Sequence, residues 1–368
     1  MRLCYIAPTD SIHTERWLNA FVEQGHEVHL IVLPGAARKM EGVILHPLPN
    51  GYPKIRFVRW VLTARKIVKQ IRPDVLHGHY LTRYGWLAAS TLFRPLVLTA
   101  WGTDIYIDPK KSGLTRLLTA WSLRHASLVT AVSRDLCDSA IQLGARRNCA
   151  EVIHWGVDPL LFRRGTDTSG LRLRLGVDRG PVILSTRNIF PNYNHDVLLS
   201  ALPSVLRAIP GATLLFKYSS YDPFYLEELQ TLANRLGIKD KVRFASNGPY
   251  REIPSYYALA DIFVSIASSD AAPISLLEAM ACGPAPIVSD LPSFREWITD
   301  GQNGYLVPPR DTEALANAIV HLLRSQDLCH QFARTNRRII EERADHRMEM
   351  KRVEGLYQSL IRPDSGGS

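Results

Sequence analysis

The feature that most constrains the fold of this chain is a regular alternation of short apolar runs with amphipathic segments, which occurs twice along its 368 residues. Short apolar runs are typical of buried strands, and longer segments with a 3.6-residue apolar period are typical of helices. Their alternation predicts parallel sheets covered by helices, that is, an α/β fold. Because one hydrophobic core seldom grows past ~250–300 residues, we expect two doubly wound domains.

The two series have their own strands and helices. In the first series the predicted strands are Arg2–Ile6, the run from Gly25 to Leu33, Val43–His46, Val75–His77, Leu96–Thr99 and Leu128–Ala131. Its predicted helices are Thr14–Gln24, Phe57–Ile71, Trp86–Leu92, Leu114–His125 and Arg134–Leu143. In the second series the predicted strands are Val182–Ser185, Thr213–Phe216, Lys241–Ala245, Asp261–Ser265, Ala285–Val288 and Gly304–Val307, and the later helices are Thr312–Arg324, Gln326–Arg343 and 347–360.

The periodicity lapses in the polar stretch that follows Gly156, which is typical of a linker. We therefore place the first domain at residues 1–164 and the second at 165–346. A terminal helix at about 347–362 follows, and the polar tail 363–368 is expected to be disordered.

The most informative segment for function is 265–289, because it sets two carboxylates around the start of a short helix. Pro273 suits the first turn of that helix and Gly283 its end. Asp270 precedes the helix and Glu278 lies one turn inside it. Unpaired N–H groups near Ile274 and Ser275, at the positive end of the helix dipole, suit a diphosphate without a metal ion. The alternative is that Asp270 caps the helix and Glu278 solvates its surface.

Two cations follow strands of the second domain. Arg187 comes after its first strand, and a guanidinium fork suits a phosphate geometrically. The alternative for Arg187 is a surface ion pair. Lys217 ends the next strand, where it either adds a second cation or is simply solvated.

Two strand ends of the first domain also carry polar side chains. His77 and His79 alternate, so they point to one side of the sheet, and His79 is expected just beyond the strand end. After the next strand, Gly102 permits close backbone approach, while Asp104 either binds a hydroxyl group or caps a turn.

Together these motifs resemble the retaining, family-four nucleotide-sugar glycosyltransferases, also called glycosyl transferases group 1, which share the GT-B fold. Their acid-x7-acid motif is matched by Asp270 and Glu278. The resemblance implies two Rossmann-like domains that face a central crevice, and a C-terminal helix that crosses back to the first domain. It also implies transfer of a sugar from a nucleoside diphosphate to an acceptor hydroxyl, with retention and without a metal or cofactor.

The resemblance assigns roles to the candidate residues. Asp270 would contact the donor sugar, Glu278 the ribose, and His79 the reacting face. The diphosphate would be bound by Arg187, by the amides of Ile274 and Ser275, and, as a replacement cation, by Lys217. The family usually has Glu where this chain has Asp270, Gly where it has Pro273, and Lys where it has Tyr193.

The acceptor side of the resemblance lies in the first domain. Its first loop resembles the Ser-x-His-Thr-x-Arg-Trp variant, which makes Ser11, His13 and Arg16 acceptor-side candidates beside Gly102 and Asp104. The expected acceptor is a glycan, a lipid-linked glycan or a small molecule.

The net charge of +9 favours anionic partners. Residues 54–72 form a basic amphipathic helix, with Lys54 near its start and Phe57, Trp60 and Ile71 among the apolar stripe. This helix either contacts an acidic membrane leaflet or is an ordinary solvated face of its domain. The chain has no familiar nucleic-acid module, so nucleic acid is not an expected partner.

The sequence indicates a cytoplasmic protein, and the membrane alternative for the basic helix would place it at the inner face of the cell membrane. No apolar run approaches the ~20 residues of a membrane span, and the start of the chain does not resemble a signal peptide. The five cysteines lie far apart and are expected to be reduced thiols. No Asp-x-Asp pair points to a metal site, and no Gly-x-Gly-x-x-Gly turn points to a dehydrogenase. An epimerase or hydrolase of the same fold and a non-catalytic membrane-binding relative remain as alternatives.

Overall fold

The computed structural model divides the chain into two compact units. Unit 1 comprises Met1–Trp155 together with the C-terminal segment from His346, and unit 2 comprises Gly156–Asp345. The residues that the structure describes are 1–35, 39–50, 55–177, 180–246 and 248–361. Lys54 and the predicted disordered tail therefore lie outside the described residues.

Unit 1 is built on a seven-stranded parallel sheet. Its strands are β1 Arg2–Ile6, β2 Glu27–Val32, β3 Val43–Pro47, β4 Val75–His79, β5 Leu96–Ala100, β6 Leu128–Ala131 and β7 Ala150–Val152. The order in the sheet is β3-β2-β1-β4-β5-β6-β7, so the direction of winding reverses between β1 and β4. In such sheets ligands bind at the carboxyl ends of the strands beside the reversal. The loops after β1 and β4 therefore lie where a ligand site is expected.

Helices connect the strands of unit 1. They are α1 Ile12–Glu23, α2 Arg56–Ile71, α3 Trp86–Ser90, α4 Thr103–Tyr106, α5 Asp108–Lys111, α6 Gly113–His125 and α7 Arg134–Leu143.

Unit 2 contains a six-stranded parallel sheet. Its strands are β8 Val182–Ser185, β9 Thr213–Tyr218, β10 Val242–Ser246, β11 Ile262–Ser265, β12 Ala285–Ser289 and β13 Tyr305–Val307. Their order is β10-β9-β8-β11-β12-β13, and the winding reverses between β8 and β11. Because β8 and β11 are neighbours, the loops after them, which contain Arg187 and Asp270, lie side by side.

The helices of unit 2 pack on both faces of this sheet. They are α8 Ser169–Arg174, α9 His195–Ala208, α10 Pro223–Arg235, α11 Ile253–Leu259, α12 Ile274–Cys282, α13 Pro292–Arg295, α14 Thr312–Leu323 and α15 Gln326–Arg343. The last helix, α16 His346–Ile361, returns to unit 1. There the ring of Tyr357 stacks on Phe21, with 5.3 Å between ring centroids.

The units divide between Trp155 and Gly156, whereas the polar composition places the domain boundary at residues 164 and 165. The residues in between have no regular period, but Val157 and Phe162 are completely buried in the core of unit 2. The N–H of Val157 also donates to the carbonyl of Ala344 at 2.8 Å. Burial and this bond attach the segment to unit 2, and neither is visible in the composition.

The elements that the sequence missed are short. β7 has three residues, and α8 lies in the stretch interpreted as a linker, where only Leu171 of the helix is buried. The predicted end of β4 was wrong in a way that affects a site residue. Gly78 and His79 pair with Leu98 and Thr99, so His79 is the last residue of β4 and does not lie beyond it.

Candidate functional site

In unit 2, helix α12 begins directly after the loop that follows β11. Pro273 is the N-cap residue, and no side chain caps the helix. Ser275 occupies the second helical position, where backbone N–H groups have no acceptor inside the helix. The N–H of Ile274, in contrast, donates to the carbonyl of Ala272 at 2.8 Å. The prediction of an unpaired amide at Ile274 is therefore wrong, because the turn around Pro273 satisfies it locally.

Arg187 joins the loop after β8 to the loop after β11. Its Nη1 atom lies 3.0 Å from Oδ2 of Asp270 and donates to Oγ of Ser275, also at 3.0 Å. Both charged side chains are largely buried, with exposed fractions of 12% and 7%. Asp270 Oδ2 meets no hydrogen-bond geometry, so the contact between the two charges is chiefly electrostatic. The alternative of a surface ion pair for Arg187 is therefore excluded by burial.

Two further contacts define this ion pair. The Arg187 guanidinium lies over the ring of Tyr193, 4.3 Å from the ring centroid. Burial acts to lower the pKa of Arg187, but the Asp270 carboxylate and Tyr193 outweigh it and raise the pKa, so Arg187 stays charged. Asp270 Oδ1 accepts the N–H of Ala272 at 3.2 Å. Asp270 thus fastens its own loop and does not cap α12.

Glu278 lies inside α12 and is only 5% exposed. Tyr250 donates its hydroxyl to Oε1 at 2.6 Å, and Tyr257 donates to Oε2 at 2.9 Å. Burial, and then the charge of Glu278, raise the pKa of Tyr257 well above its usual value, so its hydroxyl remains a donor. Glu278 is therefore held in one orientation, and the alternative that it solvates the surface is wrong. The two tyrosines were missed because no spacing rule links them to Glu278.

Asn194 connects the Arg187 loop to the β11 loop. Its side-chain amide donates to the carbonyl of Ile266 at 2.8 Å and to Oγ of Ser268 at 2.9 Å. Arg310 donates to the amide oxygen of Asn194 at 3.0 Å. Asn194 has a φ of 51°, a left-handed conformation that Asn adopts more readily than most residues. This residue was also missed, although the conformational preference of Asn is a usable signal.

Lys217 lies within β9, not at its end, and only 2% of it is exposed. Its Nζ atom lies 5.3 Å from the ring centroid of Tyr256. Burial lowers the pKa of Lys217, while the charge of Glu252 acts in the opposite direction. The alternative of a solvated lysine is wrong, and a role in donor binding stays a prediction.

In unit 1, His79 is buried at the carboxyl end of β4, with 1% of its surface exposed. Trp17 packs edge-on against its ring at a centroid distance of 5.0 Å. Its Nε2 atom has no hydrogen-bond partner among the residues that the structure describes. Burial lowers the pKa of His79 to about 3, so the imidazole is neutral at ordinary pH. A neutral ring with one uncommitted nitrogen can donate or accept one hydrogen bond.

His77, two residues earlier, belongs to the core. Its Nδ1 atom lies 2.5 Å from the hydroxyl of Tyr357, and its Nε2 atom lies 2.6 Å from Oγ1 of Thr99. Burial, and then His79, lower the pKa of His77 well below its usual value. Both ring nitrogens are occupied, so His77 supports the strand and α16.

Asp104 and Gly102 stabilise the loops at the ends of β4 and β5. Asp104 is fully buried and accepts the N–H groups of Leu81 at 2.8 Å and Gly102 at 2.7 Å, while Gly102 has a φ of 137°. Burial raises the pKa of Asp104 to about 6, and the backbone N–H groups oppose that shift. Both carboxylate oxygens are engaged, since Trp101 also donates its N–H to Oδ1 at 3.0 Å. These contacts give Asp104 a loop-holding role.

The other acceptor-side candidates lie at the start of α1. Ser11 is its N-cap, and its hydroxyl accepts the N–H of His13 at 3.2 Å. The ring of His13 packs on Trp155 with 4.0 Å between centroids. Arg16 is half-buried in the same helix. An acceptor role for these three residues stays a prediction.

The apolar stripe of the basic helix α2 is fully buried only in its second half. Ala64, Val68 and Ile71 are buried there, as the predicted stripe requires. At its start the exposed apolar residues are Ile55, Phe57, Val58 and Leu62, with exposed fractions of 58%, 39%, 61% and 60%. Arg56 and Arg59 are exposed beside them. We call residues 55–62 the α2 apolar-basic patch.

The described residues contain neither a cluster of metal-ligating side chains nor a membrane-spanning helix. Among them, no group of three or more His, Cys, Asp or Glu side chains is placed to hold a metal ion. Within the same residues, every helix is too short or too polar to cross a bilayer.

Comparison with protein families gave two matches in succession along the chain. The description "Glycosyl transferase 4-like" matches residues 2–133, and "Glycosyl transferases group 1" matches residues 174–339. The first match falls in unit 1 and the second in unit 2.

Two characterised relatives resemble the chain. N-acetyl-alpha-D-glucosaminyl L-malate synthase of Bacillus anthracis is 24% identical over 363 residues, which cover 94% of this chain and 92% of that protein. A GDP-mannose-dependent alpha-(1-6)-phosphatidylinositol monomannoside mannosyltransferase of Mycolicibacterium smegmatis is 29% identical over 206 residues. That match covers 54% of this chain and 53% of the mannosyltransferase, so it spans only about half of each.

Solved structures resemble the chain along nearly its whole length. Anabaena HepE in complex with UDP-glucose has a TM-score of 0.83 at 21% identity, covering 98% of this chain and all of HepE. Sucrose-phosphate synthase from Thermosynechococcus elongatus also has a TM-score of 0.83, at 17% identity, covering 99% of this chain and all of that one. At these identities the likeness establishes the fold alone.

Proposed function

The chain belongs to the group 1 glycosyltransferases and has the GT-B fold, and from this premise we propose that it transfers a sugar from a nucleoside diphosphate to an acceptor hydroxyl. We further propose that the anomeric configuration is retained and that neither a metal ion nor a cofactor takes part. The donor class is supported by relatives whose names or bound ligands include GDP-mannose and UDP-glucose.

The observation that carries the proposal is the convergence of Arg187 with the start of α12. The guanidinium bonds to Ser275, the second residue of that helix, so a cation and a helix N-terminus meet at one point. Both features attract phosphate, the first through charge-assisted hydrogen bonds and the second through the N–H of Ser275 and the helix dipole. A leaving diphosphate placed here is stabilised as its charge develops.

Glu278 is the proposed ribose-binding group. Each of its two oxygens accepts one tyrosine hydroxyl, and a carboxylate oxygen can accept more than one hydrogen bond. We propose that ribose hydroxyls donate to these oxygens. The tyrosines fix the carboxylate before the donor arrives, which reduces the entropy lost on binding.

Asp270 and His79 are the proposed contacts to the sugar. Asp270 is joined to Arg187 and lies on the same loop as the start of α12. His79 is neutral and has an uncommitted Nε2 atom among the described residues, which suits a hydrogen bond to a substrate hydroxyl. A fall in turnover of His79→Ala with little change in donor affinity would support its part in the reaction.

The proposed acceptor is a glycan, a lipid-linked glycan or a small hydroxylated molecule. The names of the relatives include L-malate and a phosphatidylinositol mannoside. We also propose that the protein works in the cytoplasm and touches the inner face of the membrane. The α2 apolar-basic patch supports this, because apolar side chains beside arginines suit an acidic leaflet.

Calorimetric titration with a panel of UDP- and GDP-sugars tests the donor site. At least one is expected to bind the wild type, and Arg187→Ala is expected to weaken it about 10–100-fold, since hydrogen bonds to charged groups contribute about 1.5–3 kcal/mol. Arg207→Ala is the matched control, because within the described part of the chain that arginine bonds to Ser204 on its own helix α9 and to no other residue. Equal affinities for both variants would remove Arg187 from the site.

A further inference from the structure

Tyr193 stands where the family resemblance expects a lysine, and its ring covers the Arg187 guanidinium. We infer that Tyr193 is a positioning residue: together with Asp270 it holds Arg187 so that the remaining N–H edge of the guanidinium meets the donor diphosphate. The inference rests on the proposed function. In this interpretation the Tyr193 ring does not replace the charge of the lysine that the family usually has. It orients the charge of Arg187.

The Tyr193 ring covers one face of the Arg187 guanidinium. The carbon at its centre lies 4.3 Å from the ring centroid of Tyr193, a distance typical of a cation–π contact. Tyr193 itself is half-buried and ends a turn that Asn194 continues with a φ of 51°. Because Asn194 is bonded to the carbonyl of Ile266 and to Ser268, the segment that carries the ring is fixed to the β11 loop. The Tyr193 ring is therefore held in one position against the Arg187 guanidinium.

The two N–H edges of the Arg187 guanidinium differ in their contacts. The contacts to Asp270 and Ser275 both use Nη1. A guanidinium has five N–H donors in one plane, of which Nε and Nη2 form a second edge. Among the residues that the structure describes, the bonds and ion pairs of Arg187 with measured distances all use Nη1, and the Tyr193 hydroxyl acts on the guanidinium by raising its pKa. The ring of Tyr193 blocks rotation out of the plane, and the contacts at Nη1 block rotation within it.

The edge formed by Nε and Nη2 of Arg187 suits a phosphate group. Two parallel N–H groups match two oxygens of one phosphate, which is the bidentate geometry that arginine favours. A lysine at position 193 would add a point charge but no orientation. An aromatic ring adds orientation but no charge. We therefore expect the affinity for a nucleoside diphosphate to depend on the Tyr193 ring only through Arg187.

A double-mutant cycle tests this dependence, with UDP and GDP as the probes in calorimetric titrations. Tyr193→Phe keeps the ring and is expected to bind the preferred nucleotide within about twofold of the wild type. Tyr193→Leu loses the ring and is expected to bind about tenfold more weakly, which corresponds to about 1.4 kcal/mol. In the Arg187→Ala background, Tyr193→Leu is expected to change the affinity by less than about twofold, because the group it positions is gone.

Asp270→Asn provides the second arm of the cycle. It removes the charge that holds Nη1 and is expected to weaken binding in the wild type but not in Arg187→Ala. Tyr305→Leu is the control for loss of a tyrosine ring elsewhere in unit 2, where the Tyr305 hydroxyl contacts His321. It is expected to leave the affinity for UDP and GDP unchanged. Thermal unfolding of every variant identifies those that fail to fold.

The outcomes separate the inference from the function on which it rests. If the wild type binds neither UDP nor GDP, the proposed function fails and the inference with it. If the wild type binds but the effects of Tyr193→Leu and Arg187→Ala are additive, only the inference is overturned. A Tyr193→Phe variant as weak as Tyr193→Leu would also overturn it, because the hydroxyl and not the ring would then be the active group.

Discussion

The contact between Tyr257 and Glu278 yields a prediction whose size follows from the structure. Tyr257 is completely buried, and its hydroxyl donates to Oε2 of Glu278 at 2.9 Å and lies 2.8 Å from Oγ1 of Thr186. Tyr257→Phe leaves the ring in place and removes only the hydroxyl. It therefore removes the hydroxyl donor at Oε2 of a buried carboxylate and leaves Thr186 without this partner.

The expected cost is that of one hydrogen bond to a charged group, about 2 kcal/mol of the free energy of unfolding. For a unit of this size such a loss lowers the melting temperature by about 4–8 °C. Scanning calorimetry of the full chain at neutral pH measures this shift. The same variant is also expected to weaken nucleoside diphosphate binding severalfold, because Glu278 then loses the bond that orients its Oε2 atom.

Tyr305→Phe is the matched control for this variant. Its hydroxyl lies 2.7 Å from Nδ1 of His321 at the exposed surface. Removal of an exposed hydrogen bond is expected to change the free energy of unfolding by no more than about 0.5 kcal/mol. If Tyr257→Phe melts at the same temperature as this control, the structure assigns the wrong partners to Glu278.

Three further predictions follow from other buried groups and from α2. The unfolded pKa of Asp104 is 3.8 and the folded pKa about 6, so the folded state binds more protons between these values. The free energy of unfolding is therefore expected to fall by about 2 kcal/mol as the pH rises from 4 to 6. Urea titrations across that range should lose this slope in Asp104→Asn, and an unchanged slope would exclude Asp104 as its source. Asn194→Ala should lower the free energy of unfolding, measured in urea, by about 2 kcal/mol. Asn194→Gly should lower it by less, since glycine accepts a φ of 51° without strain, and the reverse order would contradict the assigned strain. Vesicles that contain phosphatidylserine should bind the protein, and Phe57→Ser with Leu62→Ser should weaken binding about tenfold or more in cosedimentation; equal binding by the variant would exclude the α2 apolar-basic patch.

Much of the fold was predictable because buried parallel strands are continuous apolar runs. The bounds of β1, β6 and β8 match the predicted ones, and the end of α12 was placed correctly through Gly283, whose φ is 108°. The GT-B fold was also correctly predicted, and it rested on the acid motif as much as on periodicity.

The remaining features depend on contacts that sequence patterns do not encode. The end of β4 was misplaced because Gly78 is a poor strand former that the sheet nevertheless pairs with β5. Lys217 was expected at a strand end, either as a second cation for the donor or as a solvated lysine, yet the sheet buries it within β9. The tyrosines that hold Glu278 lie 21 and 28 residues away in sequence and meet it only through packing.

The site residues divide in the same way. Arg187, Asp270 and Ser275 were identified from their positions at strand ends and at a helix start, and the structure brings these three together. The sequence did not reveal that Arg187 pairs with Asp270 or that Tyr193 covers it. Side-chain orientation settles these contacts, and residue type and spacing alone do not fix it.

Product analysis with a labelled donor tests the central claim most directly. The preferred nucleotide sugar is incubated with and without an acceptor, and the released nucleotide and the anomeric configuration of the new glycoside are followed by NMR. We expect that nucleoside diphosphate appears together with a glycoside of the donor's own configuration, and only when the acceptor is present. Release of free sugar without an acceptor, formation of an epimerised donor, or an inverted glycoside would contradict it.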